Sequence, residues 1–413
     1  MITPRFTLDQ NDDFVVAKVV LPHIRLEDLD VYMLGQEFRL HIKPYFLSLT
    51  FDGTIVEDGR ESAQYDRATD TLTVLMPKEV PGTHFSDLDM LTKLLPSKAG
   101  KGEARAGPLI EVVGETGDGE ASAAGEEEID WTEPVQFVEE RVQLPGSIKY
   151  GFNRGYSGFF DALQEMVVEI VDNLRPDDVP YEARRSLRLE TEDEDFSVEH
   201  YQADHMLADE HEHVRRFKPE LSDDLSGDKV QETMRGLPNK EYLVWNEKVL
   251  LLGLVDILYA DAYDRRTTED DRTVESPWTV CKLSATLSWF DEFATVKDAL
   301  VASMRRSLAY PLYRNFALSE QVLGDVVALF QLGRRAILRR LLDLIALLNT
   351  SDLKYYLNRL YVEDYAIWIQ RVTDERIAGL AAELASVRVD KGDLNWNLAH
   401  LEAEAEAEAE AEG

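Results

Sequence analysis

Over the first 95 residues, apolar and polar side chains change places every second residue, in short runs. That is the period of a strand with one face on a core. Residues 14–21 are β-branched and end at Pro22, and residues 29–34 alternate and stop at Gly35. Residues 37–42 and 46–51 alternate again, the second run ending at Asp52-Gly53, which reads as a turn. Residues 65–67 and 71–76 flank Ala68-Thr69-Asp70 as a hairpin loop. Pro44, Pro77 and Pro81 fall between or beside the runs, where a missing N–H costs little. Short runs with no helical period between them predict an all-β antiparallel sandwich.

From about residue 139 the period becomes that of helices. Phe159, Leu163, Met166, Val167, Ile170 and Leu174 form one apolar stripe that predicts a helix ending before Pro176. Residues 246–263 are apolar nearly all round and predict a central buried helix. Residues 291–308, a helix opening at Pro311, and residues 332–348 and 353–369 complete an all-α array with no fixed-length repeat. Residues 96–138 are acidic and glycine-rich, too poor in apolar side chains to offset their ordering entropy, so a mobile linker is expected. Residues 393–413 end in Glu-Ala alternation, which favours helix but offers no stripe, so a solvated, fraying tail is expected. The expected domains are therefore 1–95 (strands), 96–138 (linker), 139–392 (helices) and 393–413 (tail). The helical domain is entered through residues 146–160, where five aromatics and four glycines let the chain bend tightly against a core.

A chain of 413 residues suits two folded units. Charge narrows the function: 79 acidic against 44 basic residues give a net charge of −35, the wrong sign for displacing counterions from nucleic acid. Such a chain is drawn to basic partners instead. The single cysteine, Cys281, has no disulfide partner within the chain, fits a reducing compartment, and reads as a small buried thiol beside Val280 and Leu283. The amino terminus has no charged-then-apolar leader pattern, and the most apolar run, residues 249–260, is too short for a bilayer. A soluble cytosolic or nuclear protein is expected.

Catalytic motifs find no foothold. Neither a phosphate-cradling nor a dinucleotide glycine loop is present, and Gly155-Tyr156-Ser157-Gly158 is one position short of a nucleophile elbow. His200, His205, His211 and His213 lack the spacing of two ligands on one helical turn, and an exposed acidic helix face accounts for them. The arginine doublets at 184, 215, 305, 334 and 339 are expected to pair with the chain's own acids. No catalytic residue, cofactor or metal is expected.

The strands of the first domain resemble a CS domain, the co-chaperone sandwich related to small heat-shock proteins. More specific blocks follow: Thr3-Pro4-Arg5-Phe6, Ala63-Gln64-Tyr65-Asp66 and residues 85–95. In the helical domain they are Tyr150-Gly151-Phe152-Asn153, Lys240-Glu241-Tyr242-Leu243, Tyr263-Asp264-Arg265-Arg266, Glu275-Ser276-Pro277-Trp278, Leu287-Ser288-Trp289 and residues 305–313. Together they are similar to the family named for box H/ACA small nucleolar RNA quantitative accumulation, over residues 1–95 and about 145–370. The resemblance implies a non-enzymatic assembly chaperone that holds the dyskerin-type pseudouridine synthase before H/ACA RNA arrives. Its helical domain would occupy the synthase's RNA-binding surface as an acidic placeholder, until ruvB-like helicases remove it. It further implies a monomer with no direct RNA binding and no membrane, in the nucleus and cytoplasm. The alternative is a CS-domain adaptor of the large ATP-dependent heat-shock chaperone. Candidate contact residues are Trp278, Tyr310, Tyr313 and Arg314, with Glu275, Asp291 and Glu292 as acidic partners for a basic host. Arg5, Phe6 and Lys93 are the candidates in the CS domain. For the aromatics, a place in the core is the competing expectation.

Overall fold

The computed structural model describes residues 3–22, 29–42, 44–66, 69–95, 148–161 and 163–412. The expected linker, 96–138, and the hairpin residues Arg67 and Ala68 lie outside them. The chain divides into two compact units, one of strands ending at Ser86, the other of helices, to which Asp87–Leu95 also belongs.

In the strand unit, β1 (Arg5–Gln10), β2 (Phe14–Val20), β6 (Thr71–Pro77) and β5 (Ser62–Asp66) form one antiparallel sheet in the order β1-β2-β6-β5. A second sheet pairs β3 (Asp30–Ile42) with β4 (Tyr45–Ile55). Alternation does what it predicts: Val15, Ala17 and Val19 of β2, Leu72, Val74 and Met76 of β6, and Phe38, Leu40, Leu47 and Leu49 of the second sheet are all buried. The N-terminal fold is thus a CS-type antiparallel sandwich.

Three details differ from the sequence reading. β1 is an additional strand. The two runs before and after Gly35 are one strand, β3, with a register shift between Gly35 and Glu37. Asp52-Gly53 is not a turn but part of β4; Gly53 is required because the Phe85 ring lies over it, and a Cβ would come within 2.4 Å of that ring.

The helical unit runs α1 (Leu91–Leu94), α2 (Val167–Ile170), α3 (Tyr181–Asp195), α4 (Val198–Met206), α5 (Glu212–Arg216), α6 (Asp228–Gly236) and α7 (Glu247–Thr267). It continues with α8 (Ser276–Leu283), α9 (Ala285–Ser288), α10 (Val296–Ala309), α11 (Phe316–Leu332) and α12 (Arg334–Leu348). It closes with α13 (Tyr355–Leu357), α14 (Glu363–Trp368), α15 (Asp374–Ser386) and α16 (Leu398–Glu412). Central α7 is buried from Leu250 through Asp264, and α8, α10 and α11 pack around it. Its Asp256 carboxylate accepts from Ser284 Oγ (2.6 Å), Thr286 N (2.8 Å) and Ser303 Oγ (2.9 Å), tying the α8–α9 junction and α10 to the central helix. Complete burial pushes that carboxyl above its ordinary range, with the hydrogen bonds pulling the other way.

The predicted helix through residues 159–174 is mostly turns, with only α2 helical. Of its apolar side chains, Val167 and Ile170 reach the core, Phe159, Leu163 and Met166 are part-buried and Leu174 is exposed, and the backbone follows one carboxylate. Asp177 accepts from Tyr150 Oη (2.7 Å), Gly158 N (2.6 Å) and Phe160 N (3.3 Å), while Tyr150 stacks on Phe290 at 5.1 Å. Gly151 makes the entry possible: its φ is 78°, and a Cβ there would stand 2.5 Å from the Tyr156 ring and 3.0 Å from the Leu360 carbonyl oxygen. α10 and α11 start later than predicted, at Val296 and Phe316, behind the caps Thr295 and Asn315, whose side chains accept from Asp298 N and Leu318 N.

The expected tail forms one helix, α16, whose first turns pack, while residues 406–410 of the Glu-Ala run are exposed. Leu398, Leu401, Glu402 and Ala405 recur at helical spacing, and α16 lies against α4 with Leu398 and Ala405 buried. Tyr201 Oη donates to Glu402 (2.7 Å), and Gln202 Nε2 to the Leu401 carbonyl (3.0 Å). The apolar stripe begins upstream of the Glu-Ala run, which is why the run alone does not announce it.

Candidate interaction surface

Six arginines of the helical unit lie inside. Arg184, Arg188, Arg266, Arg305, Arg306 and Arg340 are each no more than 5% exposed. Arg188 donates to Glu192 (2.6 Å) and Asp291 (2.9 Å). Arg305 reaches Glu192 (2.8 Å) and Asp193 (2.6 Å), and Arg306 reaches Glu192 (3.1 Å) and Asp172 (2.6 Å). Three guanidinium groups therefore converge on Glu192. Burial opposes its ionisation, but Arg188 and Arg306 outweigh it and hold the carboxyl below its usual range. Arg184 instead donates to the carbonyls of Phe290 (3.1 Å) and Lys149 (3.2 Å). Positive charge is consumed in the core, and exposed carboxylates such as Glu190, Glu194 and Glu275 are left facing outward.

Of the sequence candidates, Trp278 stands 43% exposed on α8, with exposed Glu275 one turn before it. Lys282, one turn further along α8, sits 4.2 Å over the Tyr310 ring, which also covers Arg306 at 4.7 Å. Tyr310 is thus half-buried, and its phenol is pushed far up by burial. Three of the candidates, Glu275, Trp278 and Tyr310, therefore lie on or against the stretch of α8 that carries Lys282. The others do not. Asp291 is buried on Arg188, and Glu292 is clamped by Arg154 at 2.8 and 2.7 Å, so both carboxylates serve the fold, contrary to their reading as partner contacts. Arg314 turns inward to Asp204, with its backbone N–H 2.9 Å from that carboxylate, and Tyr313 meets His211 edge-on at 4.7 Å. Arg5 is exposed on β1, whereas Phe6 is buried in the sandwich as filler. Lys93 pairs with Asp87 (2.8 Å), and its N–H meets Gln370.

Sequence reasoning overlooks a loop that presents Leu243, 96% exposed, beside half-exposed Trp245. Asn153, at a left-handed φ of 53°, clamps it, donating to the Leu243 carbonyl (3.0 Å) and accepting from Trp245 N (3.1 Å). Arg154 lies between Trp245 (4.2 Å) and Tyr181 (4.5 Å). The tetrapeptide 242–245, apolar without a helical period, is the signal that could have drawn notice.

The four histidines disperse: His205 faces Glu406 of α16 (3.1 Å), His213 approaches Glu269, His211 packs on Tyr313, and His200 is exposed. Among the described residues no group of three or more His, Cys, Asp and Glu side chains could hold a metal ion. No helix of the described residues is long and apolar enough to cross a membrane. Cys281 is buried, and burial pushes its thiol up to about 12.

Two family models match the chain. Residues 3–95 match the SHQ1-like CS domain, and residues 222–398 match the Shq1 domain of SHQ1 protein. Three named relatives cover nearly the whole chain. The SHQ1 homolog of Xenopus tropicalis is 39% identical over 97% of this chain and 69% of its own. That of Danio rerio is 40% identical over 97% and 71%. Protein shq1 of Schizosaccharomyces pombe is 34% identical over 98% and 96%. With both of its domains matched and relatives of this coverage in vertebrates and fission yeast, the chain belongs to the SHQ1 family.

Proposed function

We propose that this protein binds the free dyskerin-type pseudouridine synthase, covers its RNA-binding surface as an acidic stand-in for RNA, and keeps it soluble until H/ACA RNA is loaded. Family membership supports the coarser role, a chaperone in H/ACA ribonucleoprotein assembly, and points away from catalysis. The observation that carries the finer reading is the internal use of arginine around Glu192. With these arginines buried and paired, the helical unit offers a basic host an excess of carboxylate, as a nucleic-acid backbone does. In this reading the chain acts as a monomer in the nucleus and cytoplasm, binds no RNA itself, and is released by ruvB-like helicases.

The test is a binding competition. Purified synthase retains this chain on a column, and excess H/ACA RNA lowers the retained fraction. RNA and chaperone held together on the synthase without weakening each other would overturn the placeholder reading. Retention of the large ATP-dependent heat-shock chaperone with no synthase would favour the adaptor role instead.

A further inference from the structure

A cleft of about 450 Å³ opens in the helical unit between the segment 168–175 and α3. Its inner wall includes Val171, Val179 and Trp289, and its rim carries the exposed apolar side chains Val168, Leu174 and Leu187. Leu187, Glu190, Thr191 and Glu194 lie at i, i+3, i+4 and i+7, so α3 turns one face to the opening.

Two donors in this wall have no acceptor. Asn173 Nδ2 and Trp289 Nε1 are covered atoms of side chains only 2% and 6% exposed, and neither has a hydrogen-bond partner among the described residues. The amide of Asn173 is oriented, because its Oδ1 accepts from Arg175 N at 3.2 Å, and this leaves Nδ2 as the free end. Buried N–H groups of this kind cost about 1–3 kcal/mol each when unpaired, and a ligand bringing carbonyl oxygens would recover it. The charged lining is net negative: Asp172, Glu190 and Glu194 against Arg175 and Lys282. Lys282 is already committed to Asp172 at 2.8 Å, whereas the Glu190 and Glu194 carboxylates have no ion-pair partner among the described residues.

We propose that this cleft docks an extended segment of a partner protein in which lysine or arginine alternates with aliphatic residues. A turn of the Asn173 and Trp289 side chains, whose N–H atoms are covered in the unbound protein, brings those donors to the segment's backbone carbonyls. Its aliphatic side chains cover Val168, Leu174 and Leu187, and its cations meet Glu190 and Glu194. This goes beyond the function proposed above, since it does not require the partner to be the synthase.

The experiment uses the full chain, ¹⁵N-labelled at tryptophan, with the Trp289 indole resonance assigned by its loss in Trp289→Phe. The probe is the peptide acetyl-Leu-Lys-Leu-Arg-Leu-amide, with acetyl-Leu-Glu-Leu-Glu-Leu-amide as its counterpart. The basic peptide is expected to move the Trp289 N–H downfield saturably, and the acidic one to leave it in place. Glu190→Lys combined with Glu194→Lys, both on the exposed face of α3, should weaken the basic peptide about tenfold or more. An unmoved Trp289 resonance, an equal shift with the acidic peptide, or undiminished binding by the double variant would each overturn the proposal.

Discussion

Asp264, three residues before the end of α7, is a carboxylate in the wrong place. One of its oxygens has no hydrogen bond among the described residues, and burial lifts its pKa from 3.8 to about 6 although Arg272 stands 3.5 Å away. Between those two values the folded state holds more protons than the unfolded chain. This group's contribution to stability therefore falls as pH rises through that window, and at pH 7 the ionised carboxylate is a net cost. Asp264→Asn is expected to raise stability at neutral pH by about 1–3 kcal/mol and to flatten the dependence between pH 4 and 6. Urea melts at several pH values read this out, and an Asn variant no more stable at pH 7 would refute it. Glu192 has the opposite sign. Held below its ordinary value of 4.5 by the arginines around it, it stabilises the fold fully above that value, and the benefit is lost as pH falls toward the folded value.

Among the elements, the entry at residues 150–160 and the closing helix α16 are the most exposed to single changes. Gly151→Ala meets both a disfavoured φ and two close neighbours, one of them backbone, and should cost roughly 2–5 kcal/mol in thermal or urea unfolding. Leu398→Ala should cost about 2–4 kcal/mol and speed amide exchange along α16, because Leu398 is the fully buried anchor of that helix. Exchange in α16 unchanged from the parent would show that its stripe holds nothing. These two elements also mark where local pattern stops being informative. β2, β6, α7 and α12 were legible because their periodicity is uninterrupted and faces one core. The turns of 159–174 were not, because Asp177 redirects the backbone through bonds that no local period encodes. Of the candidate contacts, Trp278 stands outward on its helix. Asp291 and Glu292 turn inward because their arginines, Arg188 and Arg154, come from more than 100 residues away in sequence. Such long-range pairing leaves no trace in the spacing of residues near 291.

For the whole molecule, net charge and its placement act together. A chain of −35 whose helical unit buries six of its arginines should approach a basic host under long-range attraction. If the proposed function holds, the association rate with the synthase falls about tenfold or more as salt rises from about 50 to about 300 mM, while dissociation changes less. Stopped-flow mixing at several ionic strengths measures this, and a salt-independent rate would leave the charge without a role in encounter.

The single thiol at position 281 gives this molecule a built-in clock. Sealed beside α7 and far from its reactive thiolate form, Cys281 should resist iodoacetamide in the native state and react once its surroundings open. One alkylation event per chain, counted by mass, would then time the opening of the helical unit, free of any signal from the strands, which carry no sulfhydryl. Labelling in native buffer as fast as in denaturant would mean that the wall around position 281 is not closed.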